Sequence, residues 1–142
     1  MAEDDNDDYL FFAEALDKVA PDMRLHRAKN GLECINMIKA DTYDLIFLDL
    51  NMPIKNGLDC LKYIESHSPP LTAPVIIYST SHYLRDIDAS FKMGAHYYII
   101  KPADADHLPD VLSDVFARFR KCMERPKKEE FVVGLESNSQ LY

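Results

Sequence analysis

At 142 residues the chain has the length of one domain, and its 47% apolar and 28% charged content is that of an ordinary globular protein. A net charge of −8, from 16 basic against 24 acidic residues, disfavours unaided binding to nucleic acid or anionic lipid, since phosphates are held mainly by Lys and Arg. No stretch approaches the roughly 18 unbroken apolar residues of a membrane span, and the opening acids Glu3, Asp4, Asp5, Asp7 and Asp8 do not form a secretory leader, so a cytoplasmic protein with protein partners is expected.

Short apolar runs alternate with amphipathic stretches, the pattern of strands and crossover helices in a parallel α/β sheet. Tyr9, Phe12, Ala13, Leu16 and Ala20 recur at helical spacing before Pro21, which predicts a first helix from about Asp8 to Val19. A strand is expected near Met23–Ala28. Asn30-Gly31 precedes a second helical stripe, Leu32, Ile35 and Ile38, and Leu45-Ile46-Phe47-Leu48 reads as a strand buried on both faces, with Asp49 at its end. Gly57 opens a helix carrying Leu58, Leu61 and Ile64. After Pro69-Pro70 comes a second buried strand, Val75-Ile76-Ile77-Tyr78, ended by Ser79.

A fourth helix carries Leu84, Ile87 and Phe91 and stops at Gly94, a left-handed cap. The strand Tyr97-Tyr98-Ile99-Ile100 then ends at Lys101, and Leu108, Val111, Leu112, Val115, Phe116 and Phe119 mark a last helix that tolerates Pro109 in its first turn. It fades near Arg125. The expected division is one domain over residues 1–125 and a C-terminal tail over 126–142, too short for an output domain. Cys34, Cys60 and Cys122 are odd in number and lack metal-type spacing, so they read as reduced packing thiols. The five histidines are scattered without ligand spacing.

In open α/β sheets the ligand site lies at the carboxyl ends of the strands. Here those ends carry the acidic group Glu3-Asp4-Asp5, Asp49, Ser79 and Lys101, a set suited to phosphoryl chemistry. Clustered carboxylates repel by about 4 kcal/mol per pair at 4 Å and an effective dielectric near 20, which calls for a cation. All-oxygen ligands suit Mg2+ or Mn2+. Asp49 is then the nucleophile, with Lys101 and the metal neutralising charge and Ser79 binding a phosphoryl oxygen.

The run from Asp44 to Pro53 with Asn56-Gly57, together with Lys101-Pro102, closely resembles the phosphorylation motif of response-regulator receiver domains. The intervals are similar too, 30 residues from Asp49 to Ser79 and 52 from Asp49 to Lys101. The resemblance covers about residues 2–120 and implies a flavodoxin-like doubly wound sheet of strand order 2-1-3-4-5. It makes Glu3 and Asp4 the metal-binding acids with Asp49 and the backbone carbonyl of Asn51, Asp5 a bystander or helix cap, and Tyr98, with Ser79, the switch. It also implies a cis Lys101–Pro102 bond.

The function implied is that of a single-domain response regulator, which takes a phosphoryl group from a histidine kinase or histidine phosphotransfer protein and signals to a downstream protein target. It is a signalling phosphoacceptor rather than an enzyme acting on other substrates. The alternative is a receiver-like scaffold that binds partners without phosphorylation. A metal-dependent phosphohydrolase is weaker, because Asn51 stands where a second acid would be needed.

One departure stands out. Receiver domains begin with an apolar strand, and here only Met1-Ala2 precede Glu3, so the first strand is largely missing. An empty place would leave strand edges unpaired. Phe131–Leu135 is the spare apolar segment, expected to pair with the sheet in its own chain or in a swapped homodimer.

Overall fold

The computed structural model describes residues 1–134 and 141. The first helix, α1 (Asn6–Val19), starts two residues before the expected Asp8, because the Asp5 carboxylate caps it by accepting from the Asp8 N–H. No strand forms at Met23–Ala28; only Ala28 makes a bridge, to Ala2. The physical reason is pairing: a strand needs a partner along its length, and among the described residues only Ala28 of this stretch finds one, at Ala2. Ala2 bridges in parallel to both Ala28 and Leu48, donating to the Phe47 carbonyl and accepting from the Asp49 N–H. Beside it a cleft of about 470 Å3 opens between residues 22–26 and 41–47.

The chain continues through α2 (Gly31–Ala40), β1 (Ile46–Leu48), α3 (Gly57–Glu65), β2 (Val75–Ser79), α4 (Leu84–Lys92), β3 (Tyr97–Ile100) and α5 (Leu108–Lys121). Asn30 caps α2 through the Glu33 N–H, and Asn56 with Asp59 forms a reciprocal capping box on α3. Gly94 adopts φ +92°, as its place after α4 predicts. The strands are parallel, in the order β1-β2-β3-β4, where β4 is Val132–Val133.

Alternate strand residues face two apolar layers. Leu48, Ile77 and Tyr98 join Ile35, Cys60 and Leu61 on the α2–α3 side, while Phe47, Ile76 and Ile99 join Phe12, Leu112 and Val115 on the α1–α5 side. Burial on both faces explains why these strands are continuous apolar runs. Cys34 and Cys60 are buried free thiols and Cys122 an exposed one.

The spare C-terminal segment does pair with the sheet within its own chain, through Val132 and Val133. It lies beyond β3, however, at the edge opposite the place of the first strand. The segment from Arg125 onward reaches that edge in steps: Arg125 donates to the Ala95 and Phe91 carbonyls, Lys128 pairs with Asp88 at 2.8 Å, and the Phe131 ring packs on Phe91 and Tyr98. Leu135, the last residue of that expected segment, lies outside the described residues. Among the described residues, no helix is long and apolar enough to cross a membrane.

Candidate functional site

Three strand ends and the Ala2 bridge deliver polar side chains to one rim. Asp49 follows β1, Ser79 ends β2, Lys101 follows β3, and Glu3 follows Ala2. Gly57 makes room for this arrangement, since a Cβ there would lie 2.2 Å from the Asp49 carbonyl oxygen. Only glycine lets α3 start so close to the strand end.

Lys101 is the centre of the cluster. Its Nζ donates to Glu3 Oε2 at 2.6 Å, Asp8 Oδ2 at 2.7 Å and Asp49 Oδ2 at 3.3 Å, and it lies 5.2 Å from the Tyr78 ring centroid. The Lys101–Pro102 peptide is trans, and the one cis bond among the described residues is Ser68–Pro69. Trans is the isomer that ordinary X–Pro energetics favour by about 0.5–1 kcal/mol, and from it Lys101 still reaches all three carboxylates.

Burial sets the charge states. Glu3 is fully buried, and desolvation pushes its carboxyl up to about 7 against the pull of the Lys101 hydrogen bond. Desolvation also raises Asp49, opposed by the Lys101 charge. For Lys101, burial acts to lower the pKa, but the hydrogen bonds it donates to Asp8 and Glu3 and the charge of Asp49 prevail and hold it above that of an ordinary lysine. One ammonium therefore faces three acids, leaving the rim short of positive charge.

Asp4, exposed at the mouth, completes the acidic group. Ligand oxygens of Glu3, Asp4 and Asp49 all lie within 4.8 Å of one another, an all-oxygen donor set that fits a hard divalent cation. The Asn51 N–H donates to Asp49 Oδ1 at 3.3 Å, which places that residue beside the cluster. Asp5 stays outside it, as the cap of α1.

Ser79 is buried, its Oγ accepting from the Ser81 N–H at 3.2 Å and its carbonyl from the Lys101 N–H at 2.8 Å. Tyr98 is wholly buried and donates its hydroxyl to the Ser81 carbonyl at 2.8 Å. Burial pushes its phenol up to about 12, while hydrogen bonds with Ser81 and Ser79 pull the other way. Ser81 Oγ in turn donates to Asp86 Oδ2 on α4 at 2.5 Å. A continuous set of contacts thus runs from the rim through the loop after β2 to the buried face of β3.

Two residues went unrecognised in the sequence. Asp8 binds Lys101 from the first turn of α1; its signal was its helical position five residues after Glu3, hidden in a run of acids. Arg27 holds the Glu3–Asn6 turn, and no motif marks it.

The chain is 31% identical over 91 residues to the probable transcriptional regulator ycf29 of Pyropia yezoensis, covering 64% of this chain and 41% of that protein. It is 32% identical over 97 residues to the transcriptional regulatory protein ZraR of Klebsiella oxytoca, covering 68% of this chain and 21% of that one, so it spans less than half the length of either. The solved structure of the phosphorylated cyanobacterial phytochrome response regulator RcpA matches with a TM-score of 0.74 at 28% identity, over 87% of this chain and 92% of that one. Residues 1–113, the span that brings Glu3, Asp49, Ser79 and Lys101 to one rim, match the response regulator receiver domain, and the chain belongs to that family.

Proposed function

We propose that this receiver domain accepts a phosphoryl group on Asp49 from a histidine kinase or histidine phosphotransfer protein, in the cytoplasm, and passes the signal on through protein contacts. The observation that carries this reading is the Lys101 ammonium bonded at once to Glu3, Asp8 and Asp49 beside the Asp4 carboxylate. Receiver domains hold a divalent metal at an acidic pocket; here Glu3, Asp4 and Asp49 would supply that pocket, and the Asn51 carbonyl would be a further ligand. Bound there, Mg2+ would supply charge neutralisation for the phosphoryl oxygens.

A carboxylate oxygen of Asp49 attacks phosphorus as the bond to the donor imidazole breaks. The electron pair leaves on the imidazole nitrogen, and an acyl phosphate remains on Asp49. Lys101 pairs with the transferred group, and Ser79 turns its hydroxyl from the Ser81 N–H to a phosphoryl oxygen. Because Tyr98 is bonded to Ser81, that movement reaches the surface made by α4, β3 and α5. Water attacking phosphorus later releases inorganic phosphate and restores the carboxylate.

Incubation with acetyl phosphate and Mg2+, followed by intact mass, tests the reading. A phosphoryl adduct is expected on the native chain and none on Asp49→Asn. No adduct on folded native protein would instead support the non-phosphorylated scaffold.

A further inference from the structure

Glu3 and Asp4 have to be aimed at Asp49 from a segment anchored to the sheet by a single residue, Ala2. The Glu3 N–H is fixed by the Ala28 carbonyl at 2.9 Å, but beyond it the chain turns out of the sheet and into α1. Backbone hydrogen bonds of α1 resume only with the Tyr9 N–H to the Asp5 carbonyl. The carbonyls of Glu3 and Asp4, which flank the exposed acid, lie outside both ladders.

Arg27 takes them. Its Nε donates to the Glu3 carbonyl at 3.0 Å, one Nη to the Asp4 carbonyl at 3.2 Å, and the other Nη to Asn6 Oδ1 at 2.8 Å. The guanidinium also stacks 4.5 Å over the Tyr9 ring. Its own backbone adjoins Ala28, which is bonded to Met1 and Glu3 on the other side of the same turn. A planar fork bound to two successive carbonyls fixes both peptide planes, and with them the direction in which the intervening Asp4 side chain leaves the backbone. The charge is spent on carbonyls and an amide, so the carboxylates stay open to a cation.

We infer that Arg27 is a positioning residue for the cation site, holding the Glu3–Asn6 turn in the shape that presents both acids to a divalent ion. The inference rests on the proposed reading of Glu3, Asp4 and Asp49 as that site.

Calorimetric titration of Mg2+ into the full chain tests it. Arg27→Met keeps an unbranched apolar side chain at the position and removes the fork; Mg2+ affinity is expected to fall about tenfold, the scale seen when groups that orient metal ligands are removed. Labelling by acetyl phosphate at saturating Mg2+ should recover to the native rate, so the loss lies in metal affinity and not in the chemistry. Arg27→Lys, with one ammonium in place of a fork, should fall between the two, and Asn6→Ala, which removes one branch, should show a smaller loss. Native affinity in folded Arg27→Met and Asn6→Ala proteins overturns the inference alone. No Mg2+ binding by the native chain overturns it together with the cation-site reading. Should Arg27→Met fail to fold, Arg27→Lys and Asn6→Ala decide the matter, and native affinity in both overturns it.

Discussion

The two ends of the chain are attached to the sheet by opposite physics. At one end Ala2 alone stands between Ala28 and Leu48, held by backbone hydrogen bonds and flanked by a cleft, and the next residues are acids that repel one another. At the other end β4 closes the outer edge of β3 with Phe131 wholly buried and Val133 nearly so. The first attachment delivers the acids Glu3 and Asp4 to the rim and adds little apolar burial; the second adds apolar burial and delivers no side chain to the rim. Clustered like charges at the first end cost stability, and burial elsewhere has to offset that cost.

The strongest way to break this contrast is to remove the aromatic anchor. Phe131 packs at 5.1 Å from the Phe91 ring and 6.1 Å from the Tyr98 ring, and its carbonyl accepts from the Tyr98 N–H. Phe131→Ala should cost about 3–5 kcal/mol, the usual range for a buried phenylalanine, read as a lowered urea midpoint. A loss below about 1 kcal/mol would show that the C-terminal edge is decoration on a core that stands without it.

This asymmetry also decided what could be read from the sequence. Asp49, Ser79 and Lys101 were legible because each ends a long apolar run, and strand ends of parallel sheets converge. The helices were legible from their stripes, and Gly94 from its place after one. The Met23–Ala28 stretch reads as a strand but forms none, because strand formation depends on a partner distant in sequence, and among the described residues it meets one only at Ala2. Phe131–Leu135 reads as a spare apolar segment able to pair with the sheet, and Val132–Val133 within it does pair, but nothing local says which edge it joins. Asp8 and Arg27 act through contacts spanning 93 and up to 24 residues, which no local pattern encodes.

A pH titration sharpens the other side of the contrast. The folded-state pKa of Glu3 is raised from 4.5 to about 7, so the fold binds this proton more tightly than the unfolded chain does. The associated stability is fully present below about 4.5 and is lost as pH rises through about 7. The metal-free chain should lose on the order of 3 kcal/mol from this group across that window, and Glu3→Gln should abolish that component. Chemical denaturation at several pH values, taken as the difference between native and Glu3→Gln proteins, checks it. A difference that stays constant with pH would mean that Lys101 already compensates the buried charge in full.

The smallest effect is expected where the C-terminal edge is polar. Lys128 pairs with Asp88 at 2.8 Å, but the side chains are 56% and 40% exposed. The hydrogen bond from Lys128 holds the Asp88 carboxyl below its ordinary value, so the pair contributes above that range and is lost as pH falls through it. In water such a pair gives back most of its attraction in lost side-chain freedom, and salt screens the remainder. Lys128→Ala should therefore shift the urea midpoint far less than Phe131→Ala, and the shift should vanish near 1 M salt, where the screening length is about 3 Å. A shift as large as that of Phe131→Ala, and insensitive to salt, would mean that the edge is clasped by charge, making the two ends of the chain alike.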